Sequence, residues 1–120
     1  MLSLLAVALG GALGASIRYA VNQMVINLFN APLFWATLSV NVVGCFLMGY
    51  FYHYLQTHAG VSEAMRLFIT VGLLGALTTW STFSMETVIM IQNDQLIKAV
   101  TYTLATTICC FLAFWLGVKS

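Results

Sequence analysis

The residues best suited to chemistry lie close together in one apolar stretch of the sequence. Five hydroxyl-bearing residues occur within seven positions, and they are Thr78, Thr79, Ser81, Thr82 and Ser84. Glycines precede them at positions 72 and 75. Because glycine, serine and threonine all weaken a helix, we predict a helix break between Gly75 and Thr79. In an apolar medium such a break frees main-chain carbonyls, and freed carbonyls can hold a small cation.

A simpler interpretation of the same cluster is that the hydroxyls bond to their own helix and the glycines allow close packing. The density of hydroxyls favours a functional role. Trp80 and Phe83 are three residues apart, so they share one face of a helix. Their ring edges are electropositive and could contact an anion, although the spacing alone favours a packing pair.

Asn41 is the only amide in another apolar stretch, where it belongs to a stripe at helical spacing with Thr37, Gly44 and Met48. Such an amide either joins helices or lines a polar path. A second stripe further along the chain contains Tyr102, Thr106 and Cys110.

Two charged residues, Arg18 and Glu86, lie within apolar stretches, where charges are costly and are usually paired or functional. They are candidates to pair with each other or with backbone groups. The three cysteines show no metal-binding spacing and are interpreted as small core residues. Since no nucleophile, base and orienting group can be combined from these residues, the sequence does not predict an enzyme.

The elements that position these residues are helices that cross a membrane. Of 120 residues, 62% are hydrophobic and only 6% are charged, which is too few charges to cover a water-soluble surface. The net charge of +1 offers no field for nucleic acid. A span needs about 20 apolar residues, and four stretches qualify: 2–21, 33–52, 67–91 and 96–118. We therefore predict an all-α membrane protein with a single four-helix domain over residues 1–120.

The distribution of positive charge predicts how the chain inserts. With four spans, Arg66 and Lys119 lie on one side, while Lys98 and, if it reaches outward, Arg18 lie on the other. Such a weak bias predicts insertion in both orientations. Copies inserted both ways can pair as an antiparallel homodimer, which would enclose more interior than four short helices do alone.

Three motifs resemble those of the small dual-topology fluoride channels, called Fluc or CrcB. They are residues 10–19 (GGALGASIRY), 41–44 (NVVG) and 72–84 (GLLGALTTWSTFS). The third motif is the most specific, and the resemblance covers the whole chain in length, span count and motif order.

The resemblance implies an antiparallel homodimer in the bacterial inner membrane, with two pores that export fluoride passively. It also implies a structural sodium ion at the dimer centre, held by the main-chain carbonyls of Gly75 and Thr78. The implied fluoride contacts and hydroxyl track match Asn41, Trp80, Phe83, Ser81, Thr82, Tyr102, Thr106 and Thr37, with Cys110 as an extension. One departure is Trp80, because this family usually has phenylalanine there. The larger indole would present a ring edge or donate its N–H.

Two other interpretations use the same four spans. A small proton-coupled multidrug exporter is also dual-topology, but it needs an acid in the first span, and this span has Arg18 instead. Glu86 in the third span is the only candidate acid for such an exchange. A non-conducting scaffold subunit would use the glycine faces but not the hydroxyl cluster.

Overall fold

The computed structural model describes residues 1–120, and every regular element in it is helical. The α-helices are α1 (Leu2–Gln23), α2 (Leu33–Thr57), α3 (Glu63–Leu67), α4 (Gly75–Leu77), α5 (Trp80–Gln92) and α6 (Leu96–Lys119). Two π-helical segments, Met24–Leu28 and Phe68–Leu74, continue α1 and join α3 to α4.

Four largely helical stretches are long and apolar enough to cross a bilayer, and they confirm the predicted number of spans. They are Leu2–Leu28, Leu33–Thr57, Glu63–Gln92 and Leu96–Lys119. The connections are shorter than predicted. The first and second predicted spans leave residues 22–32 between them, whereas the connection occupies only 29–32. The second and third leave 53–66, whereas the connection occupies only 58–62. Polar residues at these span ends remain helical because helical hydrogen bonds join main-chain groups and do not require apolar side chains.

The third span changes backbone conformation twice along its length. It begins at Ser62, whose hydroxyl accepts a hydrogen bond of 3.2 Å from the Met65 N–H and caps α3. After the π-helical segment and α4, Thr78 and Thr79 have extended backbone angles, with ψ values of 155° and 122°. The Thr79 hydroxyl then accepts a hydrogen bond of 3.2 Å from the Thr82 N–H, and this capping bond starts α5.

Glycines bring the helices into direct backbone contact. The α1 helix packs on Phe68–Leu74, where a Cβ at Gly10 would lie 2.5 Å from the Phe68 carbonyl oxygen. A Cβ at Gly14 would collide with the carbonyl of Leu73. The α2 and α6 helices approach in the same way, since a Cβ at Gly49 would meet the Phe114 carbonyl. Small residues therefore replace the hydrophobic effect as the basis of packing, as is usual within a bilayer.

The Gly14→Ala substitution tests this backbone contact, and we expect it to destabilise the protein by about 1–3 kcal/mol through overpacking. Gly11→Ala is the matched control, because a Cβ at Gly11 meets nothing within 4 Å. Thermal unfolding of the purified protein in detergent measures the difference. Equal unfolding midpoints for the two variants would show that the α1 contact is not tight.

Candidate functional site

The side chain of Asn41 joins α2 to the extended segment of the third span. Its Nδ2 donates a hydrogen bond of 3.1 Å to the Thr79 carbonyl, and its Oδ1 accepts one of 2.8 Å from the Thr79 N–H. Asn41 is buried, and its amide pairs with the Thr79 main chain much as a neighbouring strand would. Such a pair satisfies backbone groups that the interrupted helix leaves free, so Asn41 fixes the position of this segment.

A cavity of about 330 Å³ opens beside this pair. Asn41, Trp80, Thr106 and Cys110 all line it, so the fold brings together predicted residues from three spans. Its other lining residues are Cys45, Thr78, Thr79, Thr107 and Phe111. The lining contains hydroxyl, amide, thiol and indole groups but no formally charged side chain.

Thr106 has the least satisfied side chain in this cavity. A threonine within a helix usually donates its hydroxyl to a carbonyl one turn earlier. The Thr106 Oγ1 is buried and has no hydrogen-bond partner in the chain. A buried polar atom without a partner is costly, so this hydroxyl needs a hydrogen-bond partner that the chain itself does not supply.

The two aromatic residues of the third span lie next to each other with different exposure. The ring centroids of Trp80 and Phe83 are 5.1 Å apart at an interplanar angle of 49°. Phe83 is buried against Tyr102, whose ring centroid is 5.0 Å away. Trp80 is 74% exposed and forms part of the cavity lining. Packing between the rings and an accessible ring edge therefore occur together.

Glu86 is a buried acid that bonds two of the other predicted residues. Its carboxylate accepts hydrogen bonds of 2.8 Å from the Thr37 hydroxyl and 2.7 Å from the Tyr102 hydroxyl. Thr37 and Tyr102 therefore meet at Glu86 and are not among the residues that line the cavity. Arg18 does not pair with this acid, since its Nε donates a 3.0 Å hydrogen bond to the Ala76 carbonyl. The sequence left open whether Arg18 pairs with Glu86 or with a backbone group, and the structure shows a backbone partner.

The hydroxyl cluster divides between local bonding and open positions. Thr78 and Ser84 donate back to carbonyls of their own span, at 3.0 Å and 2.9 Å. The Ser81 hydroxyl lies 3.3 Å from that of Thr79 and is exposed, while Thr82 is half-buried. Back-bonding thus accounts for part of the cluster, and Ser81 and Thr82 lie outside the cavity.

The extended segment also leaves main-chain oxygens available. The Thr78 carbonyl accepts no hydrogen bond within the chain. The Thr79 N–H, which would reach the Gly75 carbonyl in a regular helix, donates to Asn41 instead. Neutral oxygens of this type suit a hard cation, so the two residues that the resemblance indicates fit a sodium ion chemically.

Four apolar spans define a multi-pass membrane protein, and three of them line an uncharged cavity of a size suited to a small solute or ion. The family model described as "CrcB-like protein, Camphor Resistance (CrcB)" matches residues 5–118. The chain belongs to this family.

Curated relatives in bacteria share this full-length similarity. A protein named "Fluoride-specific ion channel FluC" from Hahella chejuensis is 44% identical over 112 residues, which cover 93% of this chain and 88% of the relative. Proteins of the same name from Shewanella piezotolerans and Shewanella sediminis are 40% and 44% identical, and each match covers 98% of this chain and 94% of the relative. These relatives are named as channels and not as enzymes.

Sequence reasoning missed two contacts in this region. It did not identify Thr79 as the partner of Asn41, since main-chain bonding leaves no trace in residue identity. It also did not connect Glu86 with Thr37 and Tyr102. The sequence did contain a signal for the contact with Glu86, because a buried acid needs hydrogen-bond donors. Each of the two hydroxyl stripes contains a donor at a level of the membrane comparable to that of Glu86.

Proposed function

We propose that this chain forms a passive fluoride channel in the bacterial membrane. The observation that carries the proposal is the uncharged cavity whose lining includes Asn41 and Thr106, the residue whose hydroxyl has no partner in the chain. Fluoride is small and strongly hydrated, so donors must replace its lost water. Neutral donors in series bind an anion weakly enough for it to leave again. The name of the relatives supports fluoride as the ion.

The proposed assembly is an antiparallel homodimer with two pores. Support comes from polar or amphipathic groups that are exposed within the spans, namely Trp80 and Ser81. Hydroxyls at membrane depth favour contact with protein or water over lipid. Because Arg18 is engaged with the Ala76 carbonyl, the count near the span ends is Arg66 and Lys119 against Lys98. That small excess favours insertion in both orientations.

We further propose that the interrupted third span holds a structural sodium ion at the centre of the dimer through the carbonyls of Gly75 and Thr78. When bound, sodium supplies positive charge that satisfies these oxygens. The Asn41 amide holds the same segment from the other side through Thr79. Ion binding and pore geometry would thus depend on one stretch of extended backbone.

The channel proposal is tested in liposomes loaded with potassium fluoride. After a potassium ionophore is added, a fluoride electrode should record fast release from liposomes that contain the protein. The same liposomes loaded with potassium chloride should retain their anion, as should liposomes without protein. Absence of release for both anions would refute the channel, and equal release of both would refute its selectivity.

The sodium proposal predicts that cation exchange alone changes stability. We expect replacement of sodium by N-methylglucamine at constant ionic strength to lower the free energy of dimer unfolding. The loss would be about 2.7 kcal/mol if sodium was present at ~100 times its Kd. Thermal unfolding with size-exclusion chromatography measures both the midpoint and the assembly. Identical midpoints in the two cations would contradict a structural sodium ion.

A further inference from the structure

Two cysteines from different helices face the same cavity, and the proposed function uses neither thiol as its main ligand. Cys45 lies on α2 and Cys110 on α6, and both residues line the cavity of about 330 Å³. The backbones of these two helices are in contact near Gly49 and Gly117, which holds the cysteines in a fixed relation. Each cysteine lies four residues, about one helical turn, before a contact residue, which is Gly49 on α2 and Phe114 on α6.

The chemistry of this pair is limited by the number of ligands. No group of three or more histidine, cysteine or acidic side chains occurs in the chain. Zinc generally takes four ligands and is therefore a poor match. Soft thiolate sulfur selects soft metal ions, and a pair of sulfurs is a complete ligand set for an ion that prefers two-coordinate, linear geometry.

We propose that Cys45 and Cys110 form a two-thiolate site for a soft divalent cation, the mercuric ion. Each thiol releases one proton to cavity water as its sulfur forms one bond to the metal. One Hg²⁺ and two thiols thus yield a neutral complex and two protons. Neutrality matters in this position because an uncompensated charge is costly away from bulk water. The occupied site lies in the cavity wall, where it obstructs the space beside Asn41 and Thr106.

The site is tested by titrating mercuric nitrate into the full-length protein in lipid nanodiscs, in the presence of excess monothiol. Sulfur-to-mercury charge-transfer absorption and native mass spectrometry should report one retained Hg²⁺ per chain. Cys45→Ser and Cys110→Ser should each weaken retention by roughly 100-fold or more, because a single thiolate does not outcompete the monothiol. Zinc nitrate in the same titration should show no retention.

The matched control is Cys109→Ser, since Cys109 is exposed and does not line the cavity. This variant should retain Hg²⁺ as the unsubstituted protein does. Undiminished retention in Cys45→Ser or Cys110→Ser would overturn the proposal, and so would loss of retention in Cys109→Ser. Size-exclusion profiles identify any variant that fails to fold. In that case, the cysteine is replaced by alanine instead of serine, and Hg²⁺ retention by the alanine variant decides whether that cysteine is a ligand.

The proposal that bound Hg²⁺ obstructs the cavity rests on the proposed function and is tested by a separate measurement. Hg²⁺ should stop fluoride release by the unsubstituted protein and by Cys109→Ser, and should leave release by Cys45→Ser unaffected. Continued release from an Hg²⁺-loaded protein would overturn the obstruction. If the protein releases no fluoride even without mercury, the channel proposal fails, and the binding titration still decides the thiol site.

Discussion

Replacement of Asn41 by aspartate is expected to reduce fluoride flux by roughly 100-fold or more, because two like charges ~4 Å apart at an effective dielectric constant of ~20 repel by about 4 kcal/mol. The substitution is nearly isosteric and keeps the oxygen that accepts the Thr79 N–H. It removes the amide that donates to the Thr79 carbonyl and places a negative charge in the cavity wall. Flux is measured in liposomes at alkaline pH, where the new carboxyl is ionised.

Asn27→Asp is the matched control for this substitution. Asn27 is exposed near the end of the first span, and its side chain bonds only that of Gln23. It introduces the same charge far from the cavity, so its flux should equal that of the unsubstituted protein. Unchanged flux in Asn41→Asp, with the variant eluting as the same assembly, would remove Asn41 from the ion path.

Replacement of Phe83 by isoleucine is expected to reduce flux by roughly tenfold, because it removes the ring pairs with Trp80 and Tyr102, each of about 0.5–1.5 kcal/mol, and about 1.4 kcal/mol corresponds to one factor of ten. The ring of Phe83 is buried between Trp80 and Tyr102, at centroid distances of 5.1 Å and 5.0 Å. Isoleucine keeps an apolar side chain in this space but has no electropositive ring edge. It would also let the rings of Trp80 and Tyr102 shift.

The control for this second variant is Phe46→Ile, because Phe46 is exposed on α2 and its ring is not paired with that of Trp80 or Tyr102, as the ring of Phe83 is. Liposome flux and size-exclusion chromatography are recorded for both variants. Loss of flux with an unchanged elution volume shows that Phe83→Ile acts on the ion path and not on the assembly of the protein. Full flux in Phe83→Ile would show that this ring only packs, as its spacing by itself suggested.

Much of the fold could be predicted because the bilayer imposes a simple rule on the sequence. Every main-chain polar group in the apolar layer needs an internal partner, so an uncharged stretch of sufficient length has to be a helix. The second span illustrates both the strength and the limit of this rule. Its start was predicted at residue 33 and found there, whereas its end was predicted at residue 52 and found at Thr57. Beyond the apolar layer, water tolerates either helix or coil, and composition no longer decides.

The candidate site was predictable in its members but not in its contacts. Thr37 and Thr106 both belong to polar stripes, yet the Thr37 hydroxyl bonds Glu86 whereas the Thr106 hydroxyl has no partner, and only Thr106 belongs to the cavity lining. Spacing places residues on a helix face, but the rotation of one helix against another determines what each face meets. That rotation depends on where glycines such as Gly14 and Gly49 allow backbones to touch.

The sequence by itself determined four apolar spans, a hydroxyl-rich third span that also contains the acid Glu86, and membership of a family. These properties depend on composition and on short motifs, which are local features of the chain and do not require knowledge of how the helices pack. Tertiary structure alone decided that Asn41 holds the Thr79 main chain, that Glu86 bonds two hydroxyls and that Cys45 and Cys110 share a cavity. Those contacts join residues far apart in the chain, and only the packing of helix against helix brings their side chains within bonding distance.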